Sequence, residues 1–361
     1  MKQSVSQSLE PVLFFSRLVA VHPQCDTSFR KALLYFYTYF YSTIVFSSFL
    51  LTLFWYQPQI SALSSIHLLV QRCQIVIIFT NYVVAIGTAL GGHINLLNVV
   101  KRLEDVDKEL ETTGYFIKYK NDYILKTLTF RVISQILLLF LELNLMKPLD
   151  RNYTIYYVVS KYLSQFSVTA FQMQAYSLLK LIGNKFSILN DKIEEMKVRP
   201  NWDKILSFVR IYDILKQKAF NVNRYYSLNT VFSLISIFFY VIVTLHLLST
   251  LIKIHEDFSI IPLVFCIFFA LFKMYEIWIT IEPFVYVTNK VDWFNVELFK
   301  IMVSDKAGQY VGNEKLQVHI ALKQGIIFSA AGFFTLDYSL IHSMIGAIAT
   351  FLVILIQFDK K

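Results

Sequence analysis

The sequence predicts an all-α membrane protein with seven transmembrane helices, its N-terminus inside and its C-terminus outside the cell, and cytoplasmic anchor helices. The 361 residues are 56% hydrophobic and only 16% charged, whereas a soluble domain carries about 25% charged residues. Seven intervals of the sequence are poor in charge. Each approaches the roughly 20 residues that a helix needs to cross a bilayer. A soluble all-helical protein is disfavoured, because it would have too little polar surface to cover seven helices that are apolar all round.

The seven intervals give the predicted spans in chain order. The fifth contains no Asp, Glu, Lys or Arg. The third contains Arg131 and Glu142, and the sixth contains Lys273 and Glu276; both can insert if these groups face the interior of a bundle. Lys273 and Glu276 lie one helical turn apart and can pair with each other. The predicted spans are 32–56, 66–90, 129–146, 154–179, 229–252, 259–282 and 335–358.

Basic residues set the orientation. With the N-terminus inside, the cytoplasmic connections hold 25 of the 34 Lys and Arg residues and the outer connections hold five, which is the bias expected of the cytoplasmic side. Topology therefore explains the net charge of +9, and nucleic acid is not expected as a partner. A sequon places a candidate glycosylation site at Asn152, in the short outer loop before the fourth span.

The long inner connections carry apolar residues at helical spacing, which predicts helix-packing faces. These faces either cover one another within one subunit or form a platform that joins subunits, and the spacing leaves both alternatives open. The three stripes are Ile182, Phe186, Leu189, Ile193 and Met196; Ile205, Phe208, Tyr212 and Leu215; and Val291, Phe294, Leu298 and Ile301.

The sequence contains no pattern of a known catalytic or metal centre. GxxxxGK[ST], GxGxxG, GxSxG and HExxH are absent, and the seven His residues have no metal-ligand spacing. We therefore expect no enzyme activity, no cofactor and no metal, and we expect the three Cys residues to be buried free thiols. The motifs of a G-protein-coupled receptor are also missing, and the predicted inside N-terminus is the opposite of the orientation of that class. A membrane transporter remains an alternative.

The last span has one small or polar face. This face meets either an aqueous pathway or a closely packed neighbouring helix, and spacing alone does not choose between them. Before the span, Gly332 is expected to bend the chain, Thr335 to cap the helix and Asp337 to lie in its first turn. Residues 313–331 are expected to form a separate helix that approaches from the cytoplasm. The small or polar face consists of Ser339, Ser343, Gly346, Thr350, Ile354 and Gln357.

Two C-terminal segments resemble insect gustatory receptors. They are AAGFFTLDYSL at 330–340 and TFLVILIQF at 350–358. The family pattern is Thr-Tyr, five apolar residues and Gln-Phe; the spacing matches, and Phe351 stands where the family usually has Tyr. The seven spans, the inside N-terminus and the short outer loops agree with this resemblance over the rest of the chain.

The resemblance implies a ligand-gated, non-selective cation channel in the plasma membrane, related to insect odorant receptors. It implies a homo- or heterotetramer with other gustatory receptor subunits, surrounded by membrane lipid and opened by a small-molecule tastant. Each last helix would line a central pore, with a narrow outer gate near Ile354, Gln357 and Phe358. The implied pore-lining residues are Ser339, Ser343, Gly346, Thr350, Ile354, Gln357 and Phe358.

The resemblance also places the ligand in the outer half of the membrane, among spans two to six. Sugar-sensing members tend to carry an acidic residue where this chain has Leu352, so a non-sugar, bitter or deterrent compound is expected. An odorant-type or non-chemosensory channel subunit of the same superfamily is the alternative. The implied ligand-binding candidates are Arg72, Gln135, Glu142, Tyr157, Lys161, Gln165, Tyr240, His246, Phe265 and Phe269.

The implied organisation has four parts: a cytoplasmic N-terminal segment, a six-helix bundle that senses the ligand and includes cytoplasmic helices, a cytoplasmic anchor segment and the pore helix. Their limits are 1–31, 32–282 with the cytoplasmic helices at 180–228, 283–334, and 335–358.

Overall fold

The computed structural model describes residues 5–21, 28–54, 65–91, 93–112, 122–145, 151–197, 201–254, 260–304 and 325–358, together with Glu314 and Gln317. This part of the chain is almost wholly helical. Its helices are α1 (Val5–Leu18), α2 (Ser28–Phe54), α3 (Ser65–Gly91), α4 (His93–Thr112), α5 (Asp122–Leu145), α6 (Arg151–Glu195), α7 (Trp202–Ile254), α8 (Ile260–Val303) and α9 (Tyr338–Phe358). Strands β1 (Ser329–Ala330) and β2 (Phe334–Thr335) pair antiparallel.

The described residues of each predicted span fall in one helix of this bundle, except that residues 335–337 of the seventh span precede α9 and Thr335 lies in β2. Within the described residues, six helices are apolar and long enough to cross a membrane: α2, α3, α5, α7, α8 and α9. The fourth predicted span lies in α6, which has the length but is more polar. Because α6 packs against α1, α2, α3, α5, α7 and α8, its surface meets protein instead of lipid and can carry polar side chains.

Three helices extend far beyond a bilayer. α6, α7 and α8 contain 45, 53 and 44 residues, about twice the roughly 20 that a span requires. The three predicted apolar stripes lie in these extensions, and every one of their residues is buried within the single chain. Tyr212 stacks on Phe294 with ring centroids 4.6 Å apart. The stripes therefore cover one another within a subunit, which is the first of the two alternatives.

Two helices outside the predicted spans, α1 and α4, lie on the same side of the bundle as the three stripes. α1 buries Val5, Leu9 and Val12 and packs against α4 and α6. The sequence predicts a cytoplasmic segment over 1–31 and does not predict this helix. Of the cysteines, Cys266 is a buried free thiol as expected, whereas Cys73 is exposed, so that prediction was wrong; Cys25 lies outside the described residues.

The segment before α9 is an extended hairpin. Residues 325–328 have no regular structure and lead into β1, so the helix predicted over 313–331 is wrong for its last seven residues. Within the rest of that range, only Glu314 and Gln317 are described, and both are helical. Gly332 has a φ of 80° and turns the chain as predicted, while Ala331 has a φ of 48°, a conformation that L side chains rarely adopt.

Asp337 caps α9, in place of the predicted Thr335. Its Oδ1 accepts hydrogen bonds from the backbone N–H groups of Ser339 at 2.9 Å and Leu340 at 3.3 Å. Thr335 instead donates its hydroxyl to Asp337 Oδ2 at 2.9 Å. The Asp337 carboxylate therefore accepts from backbone N–H groups of the first turn that have no partner within the helix. Its negative charge also interacts favourably with the positive end of the helix dipole.

Candidate functional site

α9 turns its small and polar face away from the rest of the subunit. Every described side chain of this face is exposed. Ile348, on the opposite side of the helix, is 5% exposed, and the ring of Phe351 lies 5.6 Å from that of Phe238 in α7. α9 packs against α7 and α8 through part of this larger apolar side, while Ile345, Phe351 and Val353 remain about half exposed. The side chain of Phe358 lies outside the described part of the chain, as does that of Asn152.

The hydroxyl groups of the exposed face bond within α9 itself. Ser343 donates to the carbonyl oxygen of Ser339 at 3.1 Å, and Thr350 donates to that of Gly346 at 2.9 Å. The Ser343 and Thr350 hydroxyls therefore need no hydrogen-bond partner from a neighbouring helix, and their oxygens can still accept hydrogen bonds from water.

A buried ion pair joins α5 to α6. Lys161 Nζ donates to Glu142 Oε1 at 2.5 Å. The hydroxyls of Tyr157 and Tyr162 donate to the same carboxylate at 3.1 and 2.5 Å. Glu142 thus accepts from three donors, which is what a buried charge requires. Sequence reasoning missed Tyr162, because adjacent helical residues are not expected to face the same group.

Two lysines flank an aromatic pair from α7 and α8. Lys161 Nζ lies 5.6 Å from the ring centroid of Tyr240 and 5.9 Å from that of Phe269. For Lys273 Nζ these distances are 4.6 and 5.4 Å. The ring of Phe265 lies 5.7 Å from that of Phe269. Such ring faces stabilise a desolvated cation. Six candidate residues therefore share one cluster: Glu142, Tyr157, Lys161, Tyr240, Phe265 and Phe269.

A second ionic group adjoins this cluster. Glu276 accepts from Lys273 at 2.6 Å, which confirms the pairing that their spacing predicted. Glu276 also lies 3.5 Å from Arg131 Nη2, and Arg131 donates to Gln172 at 2.6 Å. The tertiary fold brings Arg131 and Gln172 to this pair, and nothing in their sequence positions indicated it.

A small polar cavity of about 30 Å³ lies beside the two ionic groups. It has room for about one or two water molecules. The Tyr240 hydroxyl, on a side chain only 3% exposed, has no hydrogen-bond partner among the described residues. The polar lining includes Gln165, Gln172, Ser233, Tyr240, Lys273 and Glu276.

Three other ligand-binding candidates do not line this cavity. Gln135 Nε2 donates to Thr169 Oγ1 at 2.5 Å. His246 is buried on α7, and Arg72 is exposed on α3. A cavity of about 630 Å³ lies elsewhere, between α3, α4 and α7, and none of the candidate residues is among its described lining residues.

Two ion pairs connect α6 with its neighbours at or beyond the ends of the predicted spans. Lys180 pairs with Glu282 of α8, and Lys185 pairs with Asp107 of α4. Lys185 is only 1% exposed, and its burial lowers the pKa of the ammonium group to about 7. Desolvation outweighs the opposing effect of the nearby carboxylates.

Membrane-length helices around a polar interior define the chain as a multi-pass helical membrane protein. Comparison with protein-family profiles identifies the family. Residues 9–361 match the family described as 7tm chemosensory receptor, and the chain belongs to that family. It is therefore a receptor and not an enzyme.

Solved structures show the same fold. The insect olfactory receptor OR5 from Machilis hrabei in complex with eugenol superposes with a TM-score of 0.70, at 14% identity over 97% of each chain. The structure of OR5 from the same species described without eugenol gives a TM-score of 0.69, at the same identity and coverage. No curated protein matches the sequence significantly.

Proposed function

We propose that this chemosensory receptor is a subunit of a tetrameric, ligand-gated, cation-permeable channel in the plasma membrane. The exposed small and polar face of α9 is the observation that carries this proposal. A face of this kind is suited to water, whereas a lipid-facing helix would be apolar there. Four copies around a common axis would give each face an aqueous neighbour and leave the apolar side, including Ile348, packed on α7 and α8.

The proposed topology has segment 1–31 in the cytoplasm, the bundle within 32–282, the anchor at 283–334 and the pore helix at 335–358. The same bias of basic residues supports an inside N-terminus. In the proposed pore, rings of Ile354 and Phe358 close by dewetting, and a ring of Gln357 amides presents neutral dipoles to passing cations.

The ligand is proposed to bind beside the cluster of Glu142, Lys161, Tyr240 and Phe269. Aromatic walls with few polar groups suit small, moderately apolar molecules. Tyr240 lies on α7 and Phe269 on α8, the two helices that contact α9. The hairpin adds a second connection, because Asn223 of α7 donates to the Ser329 carbonyl at 3.2 Å. A ligand that shifts α7 or α8 would therefore displace α9.

A taste receptor for non-sugar, bitter or deterrent compounds is the proposed modality. Leu352 supplies no carboxylate at the position that sugar-sensing relatives tend to make acidic. An odorant-type subunit is the second candidate, favoured by the fold shared with OR5, whose structure holds eugenol. Recording currents against alkaloids, sugars and volatile phenols distinguishes them, since only an odorant-type receptor would respond to the phenols alone.

Cysteine accessibility tests the pore. Cysteines at Ser343, Thr350 and Ile354 should react with a charged thiol reagent in the open state and reduce the current. Matched cysteines at Ile348 and Leu352, on the packed side of the same helix, should not react. The opposite pattern, or labelling without any change in current, would contradict a pore along this face. Saturable flux without single-channel steps would identify a transporter instead.

A further inference from the structure

Charges buried in the predicted spans do not balance. Among the described residues of these spans, three buried cations, Arg131, Lys161 and Lys273, accompany two buried carboxylates, Glu142 and Glu276. Glu142 pairs with Lys161, so Glu276 serves both Arg131 and Lys273. One positive charge is therefore left without a counter-charge in a bundle interior, where an uncompensated ion is costly.

A further ion pair, at the end of the sixth predicted span, does not change the balance. Lys180 and Glu282 pair with each other across α6 and α8. They contribute one charge of each sign, and the excess stays with Arg131, Lys273 and Glu276.

Unused hydrogen-bond donors lie at the same place. The Tyr240 hydroxyl and Arg131 Nε are buried and have no partner among the described residues; Arg131 is 1% exposed. Tyr240 lines the cavity of about 30 Å³, Arg131 lines a neighbouring cavity of about 20 Å³, and Gln172 borders both. Buried donors are normally satisfied, so these two indicate an absent acceptor.

We propose that this polar cavity binds the anionic head of the ligand, specifically the carboxylate of a small organic acid. The carboxylate would neutralise the excess positive charge beside Lys273 and accept from the Tyr240 hydroxyl. This inference rests on the proposed function, because it names the ligand class of the bundle site. The cavity admits the head only, so the apolar body must displace Ile78, Val168 or Ile237 along its wall.

Three compounds with one ring and different charge test the proposal. Benzoate, methyl benzoate and benzylammonium are titrated at pH 7.4 into the purified full-length receptor in lipid nanodiscs. Binding is measured by calorimetry, and currents are recorded from the same preparation in liposomes. Benzoate should bind about tenfold more tightly than either analogue, as expected for a hydrogen bond that involves a charged group. Equal or tighter binding of methyl benzoate or benzylammonium would overturn the proposal.

Removing one hydroxyl sharpens the test. Tyr240→Phe should weaken benzoate binding about tenfold and change methyl benzoate binding less than about twofold. Tyr225→Phe is the matched control on the same helix, because the Tyr225 hydroxyl donates to the Thr88 carbonyl at 3.1 Å, away from this cavity. Equal losses for both ligands in Tyr240→Phe would mean that the hydroxyl acts through packing and would overturn the assigned contact.

Two further arms separate other sources of the anion. Replacing chloride by sulfate in the buffer should leave benzoate binding unchanged. If benzoate binding is lost when chloride is removed, or if chloride competes with benzoate, the cavity belongs to an inorganic ion. Hexadecanoate supplied in the bilayer should bind more weakly than benzoate, and tighter binding assigns the cavity to a lipid. Benzoate binding without current supports the carboxylate site and refutes the channel. Currents evoked only by uncharged compounds refute the carboxylate site and leave the channel intact.

Discussion

The ion pair between Glu142 and Lys161 predicts an asymmetric double-mutant cycle. Glu142→Gln leaves Lys161 without a carboxylate partner among the described residues, whereas Lys161→Met leaves Glu142 with the hydroxyls of Tyr157 and Tyr162. Removing one partner of a buried pair costs about 3–5 kcal/mol. We expect Glu142→Gln to lie at the upper end of this range and Lys161→Met at the lower end.

The double variant should lose far less than the sum of the single variants. With both charges gone, the remaining cost is that of two reoriented tyrosine hydroxyls, about 1–3 kcal/mol in total, so the coupling energy should exceed about 3 kcal/mol. Thermal unfolding of the purified protein in nanodiscs measures all four variants. Glu194→Gln is the control, since its partner Lys197 lies 3.8 Å away at the surface; it should leave the melting temperature unchanged. Additive losses in the double variant would refute the buried pair.

Two further perturbations test packing and charge in the helical extensions. A Cβ at Gly183 would lie 2.4 Å from a ring atom of Tyr286; the overlap should cost about 1–3 kcal/mol, more than the roughly 1 kcal/mol gained in helix propensity. Gly183→Ala should therefore lower the melting temperature, and adding Tyr286→Ala should remove that penalty; a higher melting temperature for Gly183→Ala alone would contradict the close approach. Because burial lowers the pKa of Lys185 to about 7 from an ordinary value of 10.5, the folded state releases this proton before the unfolded state does. Stability should consequently rise from about pH 7 upward, by at most about 1.4 kcal/mol per pH unit. Melting temperatures at pH 6.5, 7.5 and 8.5 should show this slope, and Lys185→Met should reduce it; a falling slope would contradict the assignment.

Sequence spacing predicted the elements whose cause is local. The face of α9 that contains Ser343 and Thr350 follows from helical periodicity, as does the stripe that contains Phe294. Each depends on residues three or four positions apart, which share a helix face wherever the helix packs. The pair of Lys273 and Glu276 was predictable for the same reason.

Other features depend on residues that are distant in the chain. Arg131 reaches Glu276 across 145 positions, and no periodicity encodes that contact. The sequence predicts a helix before α9, where the structure has a hairpin, because the apolar run around Phe328 suits both structures. Ile326, Phe328 and Ala330 of this hairpin are buried, whereas Ile327 and Phe333 are exposed. The ring of Phe328 lies 5.3 Å from that of Phe284 in α8 and 6.0 Å from that of Phe220 in α7.

The sequence by itself determined that the chain is a membrane protein of seven spans, because the spacing of charges fixes which segments can enter a bilayer. It also determined the polar face of the last helix. Only the tertiary structure decided which buried charges meet, and it left Lys273 and Arg131 with one shared carboxylate. The physical reason is that entry into a membrane depends on the composition of each segment, whereas charge compensation depends on which segments become neighbours.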